Sequence, residues 1–375
     1  MQPGVEAAII AGGVGVVTVI ATVLTQLRIS RRTSESTEMT LRQQSVQLDA
    51  TLVAQRDQLA TTLKAQSQQL ERTLGEQRTR TLNERFATAA GQLGSDKPAA
   101  VRLAGVYAMA GLADDWEENR QTCVDVLCGY LRMPYEADPG DEAPEPVRLA
   151  FEASRQVRHT VIRVITAHLR DGAAVSWQGL DFDFMGVVFD GGNFVGANFS
   201  GGEVNFIGAE FSSGDVHFVN TKFSGGVVTF SYAKFSGSEV IFQDAEFSGG
   251  IVYFVNTKFS GGTVNFYRAE FSGGTVGLYD ALFSGGEVFF CDADFSGGTV
   301  GFDGARFSGS RVSFADAEFR TDTGNFRFPG ARFSGGTVDF SKVRDWSVPP
   351  RFGWKGTPPP GVTLPPKEDQ SKSEP

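Results

Sequence analysis

The second half of the chain is patterned by phenylalanine. Phe184, Phe189, Phe194 and Phe199 lie five residues apart, and a twelve-residue unit with phenylalanine gaps of five and seven then recurs. Consecutive units read FSGGEVNFIGAE, FSSGDVHFVNTK and FSGGVVTFSYAK, and the pattern continues to Phe340. A fixed period of this kind predicts a solenoid, in which each unit buries its apolar face against its neighbours.

A second pattern, near the N-terminus, is an apolar run without charge. Residues 7–27 form this run of 21 residues, and a helix of that length covers about 31 Å, enough for a bilayer core. Arg28, Arg31 and Arg32 follow at once, so the positive-inside rule places the rest of the chain in the cytoplasm. We therefore expect a transmembrane anchor over residues 1–32. A signal peptide would need a basic start and a small-residue cleavage site.

Residues 33–85 are polar, and their leucines repeat every eleven residues in two rows. The rows are Leu41, Leu52, Leu63 and Leu74, and Leu48, Leu59 and Leu70. Because eleven residues make three helical turns, both rows stay on one face and favour a coiled-coil seam. We predict a helical stalk that pairs with copies of itself. The alternative is a single amphipathic helix against the membrane or the next domain, which would favour a broader apolar face with aromatic residues.

Apolar residues between 86 and 172 follow helical spacing and predict a small domain of three or four short helices. A solenoid needs a cover on its first coil, and this domain directly precedes it. His159 and His168 are nine residues apart, which is out of phase for sharing a metal ion on one helix face. The acidic run around Trp116 is interpreted as a solvated loop.

Composition narrows the class of protein. The formal net charge of -10 and the pI near 5.0 argue against a general nucleic-acid binder. Cys123, Cys128 and Cys291 form no CxxC pair, which indicates reduced thiols that act as small hydrophobic residues. The tail, residues 346–375, is rich in proline, lysine and glutamate and is predicted to be disordered.

Within each repeat the third residue of a five-residue stretch is large and apolar and the first is small. VNF at residues 204–206 and AEF at residues 209–211 show this pattern. It resembles the pentapeptide-repeat family, and the resemblance covers residues 182–343. The resemblance implies a right-handed, square-sided β-helix over residues 173–345, with one pentapeptide on each side and the phenylalanines inside.

The repeats depart from the family pattern in a few places. Each twelve holds two extra residues, usually glycine and one more, which should bulge alternate corners because glycine tolerates positive φ. Two residues are inserted near positions 322–325, Leu278 replaces a phenylalanine, and Thr221 and Thr257 replace alanine.

If two units complete a coil, residues 24 apart stack on one another. The residue before the second phenylalanine of each unit is then mainly acidic in one stack and mainly basic in the other. We predict two candidate interaction stripes on opposite sides of the solenoid. The acidic stripe contains Glu246, Glu270, Asp294 and Glu318, and the basic stripe contains Lys234, Lys258, Arg306 and Arg332. Like charges this close raise the free energy slightly. Recent duplication of a 24-residue unit is the alternative explanation.

No set of residues indicates catalysis. A nucleophile with a base and an acid is not apparent, and His217 occupies an outward repeat position without an expected partner. We therefore expect no enzyme activity, no cofactor and no metal site.

Some pentapeptide-repeat proteins mimic DNA and act on a topoisomerase, which requires a dense surface of one sign. Residues 175–345 contain 20 acidic and 11 basic residues, so the net charge is 11 − 20 = −9. Spread over the expected length of the solenoid, this charge is sparser than that of a DNA duplex. DNA mimicry is therefore the alternative function rather than the main one.

The order of segments (apolar run, glutamine-rich stalk, LNERFATAAGQL, VRLAGVYAMAGLADDW, FSGG repeats) resembles membrane pentapeptide-repeat proteins of actinobacteria. The expected protein is single-pass, lies at the inner surface of the cell membrane with most of the chain in the cytoplasm, and oligomerises through the stalk. It is expected to act as a scaffold for an unidentified protein partner, without direct nucleic-acid binding.

Overall fold

The computed structural model describes residues 5–94, 96–135, 138–320 and 326–366, and for residues 5–18 it describes the helix without the side chains. The chain divides into two compact units, Met1–Arg80 and Thr81–Pro375. The first unit is helical, and the second combines helices with a β-solenoid of about 7 turns.

The first helix, α1, runs from Val5 to Leu93 without interruption. The predicted domain boundary at residue 85 therefore lies inside a helix, because residues 76–90 contain neither glycine nor proline to end it. The leucines of both stalk rows are more than half exposed. Pairing of the stalk with another copy stays a prediction.

No helix among the described residues has a stretch long and apolar enough to cross a membrane. The predicted anchor at residues 1–32 lies in part outside the described residues.

Among the described residues, three further α-helices and one short 3-10 helix follow α1. They are α2 Ala99–Asp115, the 3-10 helix Glu117–Asn119, α3 Arg120–Arg132 and α4 Glu145–Leu169. Pro98 and Pro144 directly precede α2 and α4, where a missing backbone N–H costs no helical hydrogen bond. The short helices predicted between residues 86 and 172 are thus present.

The helices α3 and α4 cover the first coil of the solenoid. Arg158, almost fully buried, donates hydrogen bonds to the backbone oxygens of Leu131 (2.7 Å) and Val188 (2.9 Å). Thr166 Oγ1 donates to the backbone oxygen of Asn193 at 2.7 Å. The bonds to Val188 and Asn193 satisfy carbonyl groups that would otherwise lie at an open end of the solenoid, which supports the interpretation of this domain as a cover.

The solenoid consists of short strands. The first twelve are β1 Phe182–Asp183, β2 Val188–Phe189, β3 Gly192–Asn193, β4 Asn198–Asn205, β5 Glu210–Phe211, β6 Asp215–His217, β7 Lys222–Thr229, β8 Lys234–Phe235, β9 Glu239–Ile241, β10 Glu246–Phe247, β11 Ile251–Tyr253 and β12 Lys258–Asn265. The others are β13 Glu270–Phe271, β14 Thr275–Gly277, β15 Leu282–Phe289, β16 Asp294–Phe295, β17 Thr299–Gly301, β18 Arg306–Ser313, β19 Glu318–Phe319, β20 Phe326–Phe328, β21 Arg332–Asp339, β22 Arg351–Phe352 and β23 Val362–Thr363.

In the described part of the chain these strands form two parallel sheets. The first sheet has the order β19-β16-β13-β10-β7-β11-β14-β17-β20-β22, with β1 and β4 beside this path. The second has the order β2-β5-β8-β12-β15-β18-β21-β23, with β3, β6 and β9 beside it. Successive twelve-residue units alternate between the sheets, so one coil takes two units.

The register confirms the predicted coil length of 24 residues. Phe223 lies opposite Phe247 in the first sheet, and Phe247 lies opposite Phe271. The second sheet repeats this spacing, with Phe235 opposite Phe259. The square cross-section and right-handed winding stay expectations from the resemblance.

The interior is filled by phenylalanine rings, as the sequence predicts. Phe206 and Phe230, one coil apart, are parallel within 3° with ring centroids 4.6 Å apart. Phe218, half a coil from each, meets both edge-on at 6.0 Å. Such stacked and edge-on pairs are the arrangements that aromatic quadrupoles favour. Thr221 and Thr257, which replace alanine, are fully buried and donate to backbone oxygens of Phe194 (3.0 Å) and Phe230 (2.7 Å).

The extra glycines allow adjacent coils to stack closely. The β4–β7 pairing shifts register on either side of Ser200, which is the bulge that the extra residues predict. Gly226, at φ 64°, takes the conformation that a side chain would strain. A Cβ added at Gly225 would lie 2.2 Å from the backbone oxygen of Ser200, one coil earlier.

The C-terminal boundary differs from the prediction. Residues 346–366 were expected to be disordered, but β22 and β23 extend the two sheets, with Phe328 opposite Phe352 and Val338 opposite Val362. Trp354 stacks on Phe352 with ring centroids 4.2 Å apart. The composition misleads here because a few aromatic residues suffice to cover the last coil when its edge strands offer unpaired backbone groups. Residues 367–375 lie outside the described residues.

Replacing a stacking glycine should destabilise the solenoid. A Cβ added at Gly273 would lie 2.2 Å from the backbone oxygen of Ser248. The backbone beside that oxygen is held by bonds from Ser272 and Gly273 to the Phe247 oxygen (3.2 and 3.0 Å), so Gly273→Ala should lower the free energy of unfolding by about 1–3 kcal/mol. The measurement is the urea unfolding midpoint of the purified protein.

Gly208→Asn is the matched control for this prediction. Gly208 has open space around its Cα, and Asn220 already adopts the same positive φ one unit later. The control should unfold near the parental midpoint. A Gly273→Ala variant as stable as the control would contradict the stacking argument.

Candidate interaction surface

The acidic stripe exists as a column of adjacent residues in the first sheet. Glu246 lies opposite Glu270, Glu270 opposite Asp294, and Asp294 opposite Glu318. The backbones of such partners in neighbouring parallel strands lie about 4.8 Å apart. The predicted residues are therefore brought together, and we call Glu246, Glu270, Asp294 and Glu318 the acidic column.

The basic stripe is the equivalent column of the second sheet. Lys234 lies opposite Lys258, and Arg306 lies opposite Arg332. Leu282 lies between the two pairs, opposite both Lys258 and Arg306. We call Lys234, Lys258, Arg306 and Arg332 the basic column.

One end of each column is neutralised by a neighbouring residue. Glu318 Oε1 lies 3.0 Å from Arg344, and Lys222, which precedes Glu246 in the first sheet, lies 3.1 Å from Asp171. Lys234 forms an ion pair with Glu210. The remaining members form no ion pair with any described residue: Glu246, Glu270 and Asp294 in the acidic column, and Lys258, Arg306 and Arg332 in the basic column.

Elsewhere the same 24-residue stacking pairs opposite charges. Arg268 forms two bonds of 2.7 Å to the Asp244 carboxylate, Arg311 lies 3.3 Å from Glu287, and Arg327 lies 3.1 Å from Asp303. The bond from Arg268 holds the pKa of the Asp244 carboxyl below its ordinary value. Stacking of like charges is thus confined to certain columns and is not a general property of this solenoid.

An aromatic and apolar patch lies in the same sheet as the acidic column. Ile251 and Tyr253 of β11 are half-buried, and Tyr279 lies with its ring 6.2 Å from that of Tyr253. Tyr279 rests against Gly277 and Gly301, where an added Cβ would come within 2.7 Å of its ring. The sheet therefore carries aromatic side chains as well as carboxylates, a mixture typical of protein-binding surfaces.

The helical cover and the first coil meet at Asp190, which sequence reasoning missed. Its buried carboxylate accepts a bond from Tyr135 (2.5 Å) and lies 3.1 Å from His159 Nε2 and 3.2 Å from Arg155 Nε. Burial raises the pKa of Asp190, but the bonds from His159 and Tyr135 outweigh it, so the pKa lies below its ordinary value. Asp190 is 55 residues from Tyr135 and outside the repeat period, so no sequence signal predicted this contact.

A second contact of the same kind changes the interpretation of the acidic run. Asp114 accepts a hydrogen bond from Trp177 Nε1 at 3.0 Å and lies 3.2 Å from His168 Nε2. The rings of His168 and Trp177 stack with centroids 3.9 Å apart. Asp114 is therefore a structural partner of the first coil and not part of a solvated loop.

A cleft of about 510 Å³ lies between α4 and the first coils, lined by Arg155, His159, Arg163, Arg170 and His217 among others. His217 thus lies at a half-buried position of β6 with basic groups nearby. Among the described residues, no group of three or more His, Cys, Asp or Glu side chains could hold a metal ion.

Comparison with known proteins bears on the repeats. The family model described as Pentapeptide repeats (9 copies) matches residues 213–258. No curated protein and no solved structure matches the chain.

Removing one charge from the acidic column should stabilise the solenoid. Glu270 lies between Glu246 and Asp294, so Glu270→Gln should raise the free energy of unfolding by about 0.2–1 kcal/mol at low salt. The gain should shrink as salt screens the charges. Thermal unfolding at low and high salt measures it.

Asp244→Asn is the control for the charge-removal variant, because it removes a carboxylate from the same solenoid but breaks an ion pair with Arg268. It should lower the unfolding midpoint. Equal midpoints for Glu270→Gln and the parent at low salt would show that the column carries no repulsion.

The three thiols should differ in reactivity. Burial raises the pKa of Cys123 to about 11 and that of Cys128 to about 12, whereas Cys291 is partly exposed. Because the thiolate is the reactive form, iodoacetamide at pH 8 should modify Cys291 alone in the folded protein and all three in urea. Mass spectrometry counts the adducts. Modification of Cys123 or Cys128 before unfolding would contradict the packing of α3.

Proposed function

We propose that the chain is a pentapeptide-repeat protein and that it is a non-enzymatic interaction protein, tethered to the membrane, that presents its β-solenoid to a protein partner in the cytoplasm. The observation that carries this proposal is the contrast between columns. Opposite charges stack at Asp244–Arg268, while the acidic and basic columns stack like charges, most of which form no ion pair with a described residue. A partner with complementary charge would relieve that repulsion.

The aromatic patch strengthens the proposal for the first sheet. Tyr253 lies in β11 of the sheet that carries Glu246, Glu270 and Asp294, and Tyr279 lies two residues after the end of β14 of the same sheet. Aromatic side chains supply most of the affinity at protein interfaces, while surrounding charges set the rate and specificity of association. We therefore favour a partner whose surface combines basic residues with an apolar pocket.

The tether rests on the sequence of residues 7–27 and on the arginines that follow. In the described part, Val19, Ile20, Val23 and Leu24 are each about half exposed and share one side of α1. An exposed apolar side of this kind is typical of a helix that is covered by lipid or by other helices. The stalk, residues 33–85, would then hold several copies of the solenoid together.

Membrane tethering is tested by flotation. The full-length protein should rise with lipid vesicles in a density gradient, and a variant that begins at residue 33 should stay at the bottom. Light scattering of the shorter variant should give a multiple of the monomer mass, because the stalk is intact. Flotation of both proteins, or of neither, would overturn the tether.

The interaction surface is tested by neutralising the acidic column. Some cellular proteins are expected to cross-link to the parent. A variant with Glu246→Gln, Glu270→Gln and Asp294→Asn should no longer cross-link to them. A control with Glu287→Gln and Asp303→Asn, which removes carboxylates from ion pairs, should retain them. Equal cross-linking by both variants would show that the column is not the contact surface.

DNA mimicry remains the alternative, because residues 175–345 carry a net charge of −9. The basic column argues against it, since a DNA mimic needs a surface of one sign. Salt-sensitive inhibition of a topoisomerase that added DNA relieves would favour mimicry. No inhibition would favour the interaction protein.

A further inference from the structure

The stalk contains a polar row that lies within its leucine face. Helix α1 is continuous over this segment, so residues eleven apart occupy the same side. Gln44, Gln55 and Gln66 are eleven apart and fall between the leucines in the order Leu-Gln-Leu. We call this face the seam, and its members are Leu41, Gln44, Leu48, Leu52, Gln55, Leu59, Leu63, Gln66, Leu70 and Leu74.

The seam is exposed in the single chain. Its leucines are 53% to 61% exposed, and its glutamine side chains form no hydrogen bond with another described residue. A covering surface must therefore satisfy both leucine and amide groups at fixed spacing. Lipid or an entirely apolar helix would bury each amide without a partner, which costs about 1–3 kcal/mol per group.

A second copy of the chain meets this requirement. When two stalks lie parallel and in register, Gln44, Gln55 and Gln66 each face the same residue of the other copy. An amide both donates and accepts, so identical amides can bond to each other. Polar residues at seam positions specify register in coiled coils in this way.

The two edges of the seam differ in charge. On one edge Thr51, Thr62 and Thr73 donate their hydroxyls to the backbone oxygens four residues earlier, at 2.7, 2.8 and 3.0 Å. Their methyl groups therefore flank the seam, and this edge carries no charge between residues 40 and 73. The other edge carries Asp49, Arg56, Lys64 and Glu71.

Orientation follows from these edges. In a parallel pair the charged edge of each helix meets the threonine edge of its partner, whereas an antiparallel pair brings like edges together. The antiparallel alignment that places Leu48 against Leu74 puts Asp49 within a turn of Glu71 of the other copy and Arg56 near Lys64, and like charges at such positions oppose that alignment. The antiparallel alignment that places Leu41 against Leu70 also matches the leucines, but it sets none of the seam glutamines opposite another glutamine.

We propose that the stalk binds a second copy of this chain parallel and in register, and that Gln44, Gln55 and Gln66 fix the register. The proposal rests on the self-association in the proposed function and adds its orientation and its determinant. It also places all N-termini of the assembly at one end, as a common tether requires.

Disulfide cross-linking of the full-length protein in detergent tests orientation. Leu48→Cys and Leu74→Cys are made singly in a Cys291→Ser background. Each variant alone should form a disulfide-linked dimer on mild oxidation. Dimers only in the mixture of the two would mean antiparallel pairing and would overturn the proposal while leaving self-association intact. A monomeric mass for the parent by light scattering would instead overturn self-association itself.

Register is tested by replacing the polar row. In a mixture of Leu41→Cys and Leu48→Cys chains, the parent stalk should form only like-with-like disulfides. When Gln44→Leu, Gln55→Leu and Gln66→Leu are added, a slip of one helix by seven residues no longer places a seam leucine against a seam glutamine. Mixed disulfides should therefore appear. The control replaces Gln47, Gln58 and Gln69 of the neighbouring row with leucine and should keep the parental pattern. Mixed disulfides in the parent, or none in the seam variant, would contradict the role of the glutamines.

Discussion

Stacking of phenylalanine on phenylalanine one coil away is the interaction on which the solenoid depends. Phe211 and Phe235 lie parallel with centroids 4.7 Å apart, which equals the spacing of the strands that carry them. Ring contact and backbone hydrogen bonding are therefore satisfied by the same translation. The bulge glycines follow from this constraint, because a Cβ at Gly225 would prevent coils from approaching to the ring-stacking distance. Where Leu278 replaces phenylalanine the stack is interrupted, but the residue stays buried and the coils keep their register.

The repeat period made the solenoid predictable, since every interior position recurs and each coil repeats the contacts of the last. The coil length of 24 residues predicts the strand register, the phenylalanine interior and both charged columns. Contacts outside the period did not follow: Asp190 with Tyr135, and Asp114 with Trp177, join segments 55 and 63 residues apart that occur once each. The closing strands were missed for a related reason. Phe352 and Trp354 lie in a proline-rich tail, and only the exposed edge of the last coil gives them a partner.

The buried charges between the cover and the coils have polar partners, whereas most charges of the acidic and basic columns have none among the described residues. Arg158 donates to two backbone oxygens, and Asp190 accepts a bond from Tyr135 and lies beside Arg155 and His159, as burial of an ion demands. Glu270 and Lys258 remain in contact with solvent, where like charges cost little in isolation. The two edges of the stalk seam differ in a comparable manner. On one edge threonine hydroxyls donate to backbone oxygens of the same helix, and the other edge carries charged side chains. In both segments the period of the backbone decides which side chains share a face.

The alternation of units between two sheets also limits how such a gene could change length. Insertion or loss of one twelve-residue unit would exchange the sheets for every later coil, so that carboxylates would stack on lysines and arginines at the junction and each charged column would continue on the other sheet beyond it. The phenylalanine interior would tolerate the change, because both sheets present phenylalanine, valine and alanine inward. The solenoid surface would not tolerate the change, because β12 would then continue the sheet that now contains β13, and β13 would continue the sheet that now contains β12. Lineages that need these faces can therefore lengthen or shorten the solenoid only in steps of a whole coil.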